Sequence, residues 1–201
     1  MMEALIIKKS RGDSIEITLE ALRAKECVVL PTDTIYGLSG IVPDTEPLIQ
    51  HIKGRDAPGE GPKPLIRLIA APEDIFRYTG ASIPRTLLEK WPGPLSVIVP
   101  LADAAAQAEG RSGGVPCAFR CPGDPWLREV IARLGAPVFS TSANRTGRPP
   151  LGDALSIWKE FSLEAALIVD GGEAPESVPS TIVEVTEGGY RLIRPGAVRV
   201  S

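Results

Sequence analysis

Apolar residues fall in short runs along this chain: Ala4–Ile7, Cys27–Leu30, Leu65–Ala70, Leu95–Val99, Cys117–Phe119, Pro137–Phe139, Ala166–Val169, Thr181–Val185 and Arg191–Ile193. Most are rich in β-favouring side chains and are bounded by glycine, proline or charge, which predicts strands. Between them, apolar residues at helical spacing predict helices over Thr45–Lys53, Pro84–Lys90, Asp124–Leu134 and Asp153–Glu160. Asp124-Pro125 is a capping residue followed by proline at the first helical position. Thr18 is read as the cap of a helix over Leu19–Lys25. This alternation predicts an α/β fold around a mixed sheet. No internal repeat, low-complexity tract or linker interrupts it. Gly110–Pro116 and Ala57–Pro64 read as mobile loops of the kind that carry function.

Polar chemistry gathers where these runs stop. Cys27-Val28-Val29-Leu30 leads into Pro31-Thr32-Asp33-Thr34-Ile35-Tyr36-Gly37-Leu38, so hydroxyls, a carboxylate and a phenol follow a buried strand directly. Ligands of α/β proteins bind beyond the carboxyl ends of strands. The same residues also make ordinary hydrogen-bonded turns. Pro137-Val138-Phe139 leads in the same way into Ser140-Thr141-Ser142-Ala143-Asn144, with Arg145 and Arg148 close behind. Ala118-Phe119-Arg120 puts a guanidinium at a strand end, suited to a carboxylate. Ser180-Thr181-Ile182-Val183 and Arg194-Pro195-Gly196 place polar groups at the ends of two further runs. Lys53-Gly54-Arg55 closes a helix, and Lys63 follows a Gly/Pro-rich loop. Cations at a helix C-terminus answer the helix dipole, and lysine with arginine also suits polyphosphate. Trp91-Pro92-Gly93-Pro94-Leu95 reads as a packed turn anchoring a strand. Together the clusters suit an anionic ligand with several charged groups, such as an amino acid and a nucleoside triphosphate.

Bulk properties narrow the classes. The 201 residues suit one domain able to bury its own core. A net charge of −3 gives no global pull toward nucleic acid or membrane. Cys27, Cys117 and Cys121 form no disulfide framework, and a zinc site from Cys117 and Cys121 lacks partners, so no metal site is expected. Met1–Lys9 is charged too soon for a signal peptide and no run matches a membrane span, so a cytoplasmic protein is expected. There is no Gly-rich nucleotide fingerprint. His51, the one histidine, sits mid-helix, so chemistry by positioning and charge stabilisation is expected over a tuned imidazole.

The ordered set Pro31–Leu38, Lys53-Gly54-Arg55, Trp91–Leu95, Ser140–Asn144, Ser180–Val183 and Arg194–Gly196 resembles the successive motifs of the YrdC family of threonylcarbamoyl-AMP synthases. The resemblance covers nearly the whole chain and includes the family's K-x-R and S-x-N pairs, as Lys53/Arg55 and Ser142/Asn144. It implies a YrdC-like fold over residues 1–201: a twisted, open α/β sheet enclosing a basic concave cavity, in the short single-domain form. It implies synthesis of threonylcarbamoyl-AMP and pyrophosphate from L-threonine, bicarbonate and ATP, with Mg²⁺, for tRNA threonylcarbamoyladenosine. A tRNA or a tRNA-modifying transferase is the implied partner. Carried over by motif, Thr34, Arg120, Ser140 and Ser180 match positions that hold threonine. Arg55, Lys63, Ser142, Pro150 and Arg194 match positions lining ATP. Lys53, Arg55, Ser142 and Asn144 form the catalytic pairs, with Lys53, Arg55 and Lys63 expected to stabilise phosphoryl charge.

Two departures from the family pattern stand out. Asp56 and a longer loop, Ala57–Pro62, follow Arg55. Leu68 stands where some relatives place a histidine near threonine, so one threonine contact is either missing or replaced, with Arg67 as the candidate replacement. The competing expectation is a non-synthase paralogue of the same fold that binds double-stranded RNA, which needs basic groups on an exposed surface.

Overall fold

The computed structural model describes residues 3–55, 64–174 and 178–200. Lys63 and the Ala57–Pro62 loop lie outside the described residues. In chain order the elements are β1 (Leu5–Lys8), α1 (Ser14–Arg23), β2 (Val28–Leu30), β3 (Gly37–Ile41), α2 (Glu46–Ile52), β4 (Ile66–Leu68), a 3-10 turn (Pro72–Arg77) and α3 (Arg85–Leu88). There follow β5 (Leu95–Pro100), α4 (Asp103–Ala108), β6 (Pro116–Arg120), α5 (Pro125–Leu134), β7 (Val138–Ser142), α6 (Ala154–Phe161), β8 (Leu167–Asp170), β9 (Thr181–Thr186) and β10 (Gly189–Arg194). The strands form one mixed ten-stranded sheet in the order β1-β8-β2-β3-β7-β4-β6-β5-β9-β10. It is the mixed α/β sheet that the alternation predicts, open and twisted as the family resemblance implies. Among the described residues, no helix is long and apolar enough to cross a membrane.

The register of each pair assigns side chains to the two faces of the sheet, because successive residues of a strand alternate. On one face Val29, Leu38, Phe139 and Ile168 pack with Ile49 and Ile52 of α2 and Ile157 and Phe161 of α6. The same face continues through Phe119, Val97 and Val183 to Ile75, Leu87 and Ala106. On the other face Val28, Leu30, Leu68, Val138 and Leu167 are covered by Leu19 and Leu22 of α1 and by Leu127, Val130 and Ile131 of α5. Beyond α5 this second face changes character. Ser39 pairs with Ser140, Gly37 with Ser142, and Ile182 with Ser96, so serine and glycine occupy positions that elsewhere carry branched aliphatics.

Several element boundaries have simple causes. The Asp124 side chain accepts from the Leu127 amide at 3.1 Å, and Gly135 closes α5 with φ +74°. Asp153 accepts from the Ser156 amide at 2.8 Å and opens α6. Trp91 donates its indole N–H to the Leu95 carbonyl at 2.6 Å, which anchors the turn ahead of β5. The first helix differs from the sequence reading. It begins at Ser14, and Thr18 is an interior residue whose hydroxyl donates to the Ser14 carbonyl at 2.7 Å. The Ser14-Ile15-Glu16-Ile17 turn extends the apolar stripe back by one turn.

The strand β3 carries no strand signal in the sequence, because two of its five residues are glycine. Packing explains both. A Cβ on Gly40 would lie 2.3 Å from Thr45 Oγ1, and one on Gly37 would lie 2.4 Å from Ser140 Oγ.

Beneath the polar half-face, Arg67 lies buried between the rings of Phe119 and Phe139, at 5.6 and 5.8 Å from their centroids. Its guanidinium donates twice to the Glu109 carboxylate, at 2.6 and 2.7 Å. A bidentate pair at this depth is costly to break from one side, since the surviving charge has no water to turn to. Glu109→Leu is expected to lower stability by about 3–5 kcal/mol, read as a fall in the urea midpoint. Adding Arg67→Leu to it should recover most of that loss. If the single and double variants unfold at the same midpoint, the buried charge is not the cause.

Candidate active site

The uncovered half-face forms the floor of a cavity of about 380 Å³. Its walls come from the β2–β3 connection, the end of α2, the ends of β6 and β7, and the segments around residues 150, 180 and 194. Eight of the residues singled out in the sequence line it: Thr34, Arg55, Arg120, Ser140, Ser142, Pro150, Ser180 and Arg194. Lys53 and Asn144 lie immediately behind the wall. His51, on the exposed side of α2, takes no part in the lining.

The segment after β2 folds on Thr32. Its hydroxyl donates to the Ile35 carbonyl at 2.7 Å and accepts from the amides of Thr34 and Ile35 at 3.1 and 3.2 Å. This turn points Thr34 inward, where its hydroxyl accepts from Arg120 Nη1 at 3.0 Å. Arg120 also donates to the Asp33 carboxylate through Nη2 and to the Gly93 carbonyl through Nε at 3.3 Å. Burial pulls this guanidinium below the ordinary arginine value, and the Asp33 charge beside it works in the opposite direction. Asp33 thus orients Arg120 from outside the lining. Tyr36 packs against the cavity, and its hydroxyl accepts from the Gly171 amide at 2.9 Å while donating to the Gly172 carbonyl at 2.5 Å. Its position ties the turn to the end of β8.

The Lys53-Gly54-Arg55 triplet is split by its own backbone. Gly54 has φ +67°, and its amide bonds the His51 carbonyl at 2.8 Å while the Arg55 amide reaches Gln50 O at 2.9 Å. This is the left-handed helix stop that glycine permits. It sends Lys53 inward under β7 and Arg55 into the cavity. The Lys53 ammonium donates to Ser142 O at 2.8 Å, to Asn144 O at 2.6 Å and to Asn144 Oδ1 at 2.8 Å. All three of its protons are committed. In this structure the Lys53 ammonium is thus engaged with the end of β7 and the loop after it. Asn144 passes the constraint on: Ser142 Oγ donates to its Oδ1, and its amide N–H groups donate to the carbonyls of Arg145 and Arg148.

The other predicted cations divide. Arg145 is bound to the Ile52 carbonyl, Glu160 and Glu164, so it anchors the end of α2 and contributes no charge to the cavity. Arg194 reaches back to the Ser180 carbonyl at 2.7 Å, and Ser180 Oγ lies 3.0 Å from Ser96 Oγ. Gly196 makes this return possible, since a Cβ there would lie 2.3 Å from Pro179 O. Arg67 is the clearest correction. It projects to the opposite face of β4, into its pair with Glu109, and Leu68 is buried under α5, so neither replaces the expected histidine contact. The side chain that β4 does present is Ile66.

Sequence reasoning missed Ile66 in the lining and Ser96 beneath Ser180. Alternation within strands placed on one face would have found them, but the face is known only once the partners are. Among the described residues no carboxylate lines the cavity, and no group of three or more His, Cys, Asp or Glu side chains could hold a metal ion. The three cysteines are buried thiols. Burial raises Cys27 and Cys121 to about 12, which leaves both unreactive.

Residues 20–196 match the family described as Sua5_yciO_yrdC, telomere recombination. A threonylcarbamoyl-AMP synthase of Bacillus subtilis is 31% identical over 88% of this chain and 51% of its own length. One from Chromohalobacter salexigens is 32% identical over 88% of this chain and 95% of its own. The crystal structure of P. abyssi Sua5 complexed with L-threonine superposes with a TM-score of 0.78 at 29% identity, covering 98% of this chain and 57% of that one. The chain thus spans little more than half the length of the B. subtilis and P. abyssi relatives.

Lys53 supplies a test of the wall behind the cavity. Burial, followed by the charges of Arg55 and Arg145, brings its pKa down to about 8 from 10.5. Between those two values the unfolded chain holds a proton that the folded one has released. Protonation there favours unfolding, so stability rises with pH across the window. Relative to Lys53→Met, the protein should gain stability from pH 8 toward 10.5, by at most about 1.4 kcal/mol per pH unit. Parallel urea titrations of the two proteins at several pH values measure this. A constant difference between them would count against it.

Proposed function

The chain belongs to the Sua5/YciO/YrdC family, and on that basis we propose that it is a threonylcarbamoyl-AMP synthase, making threonylcarbamoyl-AMP and pyrophosphate from L-threonine, bicarbonate and ATP. The observation that carries this reading is the convergence of eight family-motif residues, from segments far apart in the chain, on one cavity. Threonine belongs at the Thr34–Arg120 end. There a buried guanidinium, oriented by Asp33, would face the carboxylate, and Ser140 and Ser180 line the same cavity. ATP belongs along Arg55, Ser142, Pro150 and Arg194.

In this arrangement the threonine amine adds to CO2 derived from bicarbonate and loses a proton, giving a carbamate. A carbamate oxygen then attacks the α-phosphorus, and the bond to the β-phosphate breaks as pyrophosphate leaves. Arg55 and the Ser142 hydroxyl lie where charge collects on phosphoryl oxygens. Lys53 holds Ser142 and Asn144 in place from behind. Aligning two bound reactants contributes about 7–11 kcal/mol without a protein nucleophile, which suits a cavity lined by no histidine. Mg²⁺ would enter with ATP on its phosphates.

The acyl-phosphate product is a mixed anhydride, so a transferase acting on tRNA is its consumer and the chain's partner. The chain serves this role as one YrdC-like domain in the cytoplasm. A double-stranded RNA module is the weaker reading. Arg55 and Arg120 point into a cavity, and exposed cations such as Lys25, Arg85 and Arg191 are paired with carboxylates.

Pyrophosphate release from Mg-ATP and bicarbonate should require threonine, and the product should carry threonine's mass. Equal release without threonine, or none, sinks the reading. Arg55→Ala removes a charge-assisted contact of about 1.5–3 kcal/mol and should slow turnover roughly tenfold or more. Lys53→Ala should lower turnover at least as far, through the loosened Ser142–Asn144 segment.

A further inference from the structure

Threonine and serine share every polar group, so the polar contacts of the cavity cannot tell them apart. Discrimination has to come from the β-methyl, and a methyl is recognised by an apolar wall. Two apolar side chains rise from the sheet into the cavity, Ile66 of β4 and Ile182 of β9. Their positions in the register differ. Ile66 stands directly across from Ser140 on one side and from Ala118 on the other. In an antiparallel pair such as β4–β7, cross-strand partners have Cβ atoms about 4.5–5.5 Å apart. Arg120 lies two residues beyond Ala118 on the same face, so it is the diagonal neighbour of Ile66. Ile182 pairs with Ser96 and with Arg194, toward the rim of the cavity.

We propose that Ile66 is the residue that selects threonine over serine, by closing an apolar wall against the β-methyl between the Arg120 guanidinium and the Ser140 hydroxyl. The inference rests on the synthase reading and deepens it. With the carboxylate on Arg120, the β-carbon of the amino acid falls in the gap between Arg120 and Ser140. A hydroxyl directed to Ser140 leaves the methyl on the side of Ile66. The side chain suits the task because β-branching leaves few χ1 states, so the wall is fixed before the ligand arrives. Its neighbours on β4 add to this. Arg67 is locked into Glu109 on the far face, and Leu68 is held under α5, so the strand cannot slip and turn Ile66 away.

The test compares the wild type with Ile66→Ala, Ile66→Val and Ile182→Ala, each supplied with threonine or with serine, bicarbonate and Mg-ATP. kcat/KM is read from pyrophosphate release and the product is identified by mass. Ile66→Ala should narrow the preference for threonine about tenfold or more, through the threonine value, with the serine value moving less than about threefold. The KM for ATP should stay within about twofold. Ile66→Val, which removes one methylene and keeps the β-branch, should narrow the preference by a smaller factor. It carries the test if Ile66→Ala does not fold. An unchanged preference in the folded Ile66 variants overturns the proposal and leaves the synthase reading standing. So does a preference that collapses only in Ile182→Ala. A wild type that releases no threonine-dependent pyrophosphate overturns the synthase reading and this proposal with it.

Discussion

A buried ammonium has three protons and no water to give them to. Lys53 meets that constraint with two carbonyls and one amide oxygen, all from two residues, Ser142 at the end of β7 and Asn144 in the loop that follows. The tie is reciprocal. Arg145, from that same loop, donates to the Ile52 carbonyl at the end of α2, and the Thr146 hydroxyl donates to the Lys53 carbonyl at 2.8 Å. A cation passes from helix to loop and another from loop to helix, each capping the other's open end. The carboxylates of Glu160 and Glu164 hold the second cation in turn. Charge-assisted bonds of this kind are short and directional. Ser142 and Asn144 are therefore set in place before any ligand arrives, which is the condition for stabilising charge without reorganisation.

The cavity itself follows from incomplete coverage of the sheet. Both faces are closed by helices where the side chains are aliphatic. One face stays open where alternation puts Ser96, Ser140 and Ser142. The hydroxyls there find partners within the site instead of under a helix, Ser96 with Ser180 and Ser142 with Asn144. Gly37 serves the same end, since only the lack of a Cβ lets β3 lie against the Ser140 hydroxyl. Arg120 is the exception that has to be buried and charged, and Asp33 accompanies it for that reason.

Much of this was legible in the sequence because the signal is local. A polar burst immediately after an apolar run marks a strand end, and those bursts are the walls of the cavity. Asp124 and Asp153 announce their helices for equally local reasons. What could not be read depends on partners distant in sequence. Gly37 and Gly40 look like breakers until Ser140 and Thr45 are placed beside them. Lys53 and Arg55 read as a matched pair of cations until the left-handed Gly54 sends them to opposite sides of a wall. Arg67 and Leu68 are neighbours of a cavity residue in sequence but have separate fates, because Arg67 turns to the other face while Leu68 runs on beneath α5.

The order of strands in the sheet carries a consequence for how the molecule is made. β1 has a single partner, β8, and β2 needs β8 on its other side. A ribosome adding about 5–20 residues per second leaves β1 without a partner for on the order of ten seconds. The cavity waits longer still, since Ser180 and Arg194 emerge after β8. During that interval Leu5, Ile6 and Ile7 are a short apolar segment with an open edge, followed at once by Lys8 and Lys9. Those two lysines, bound to Asp170 and Asp124 in the finished fold, act as gatekeepers of the nascent chain.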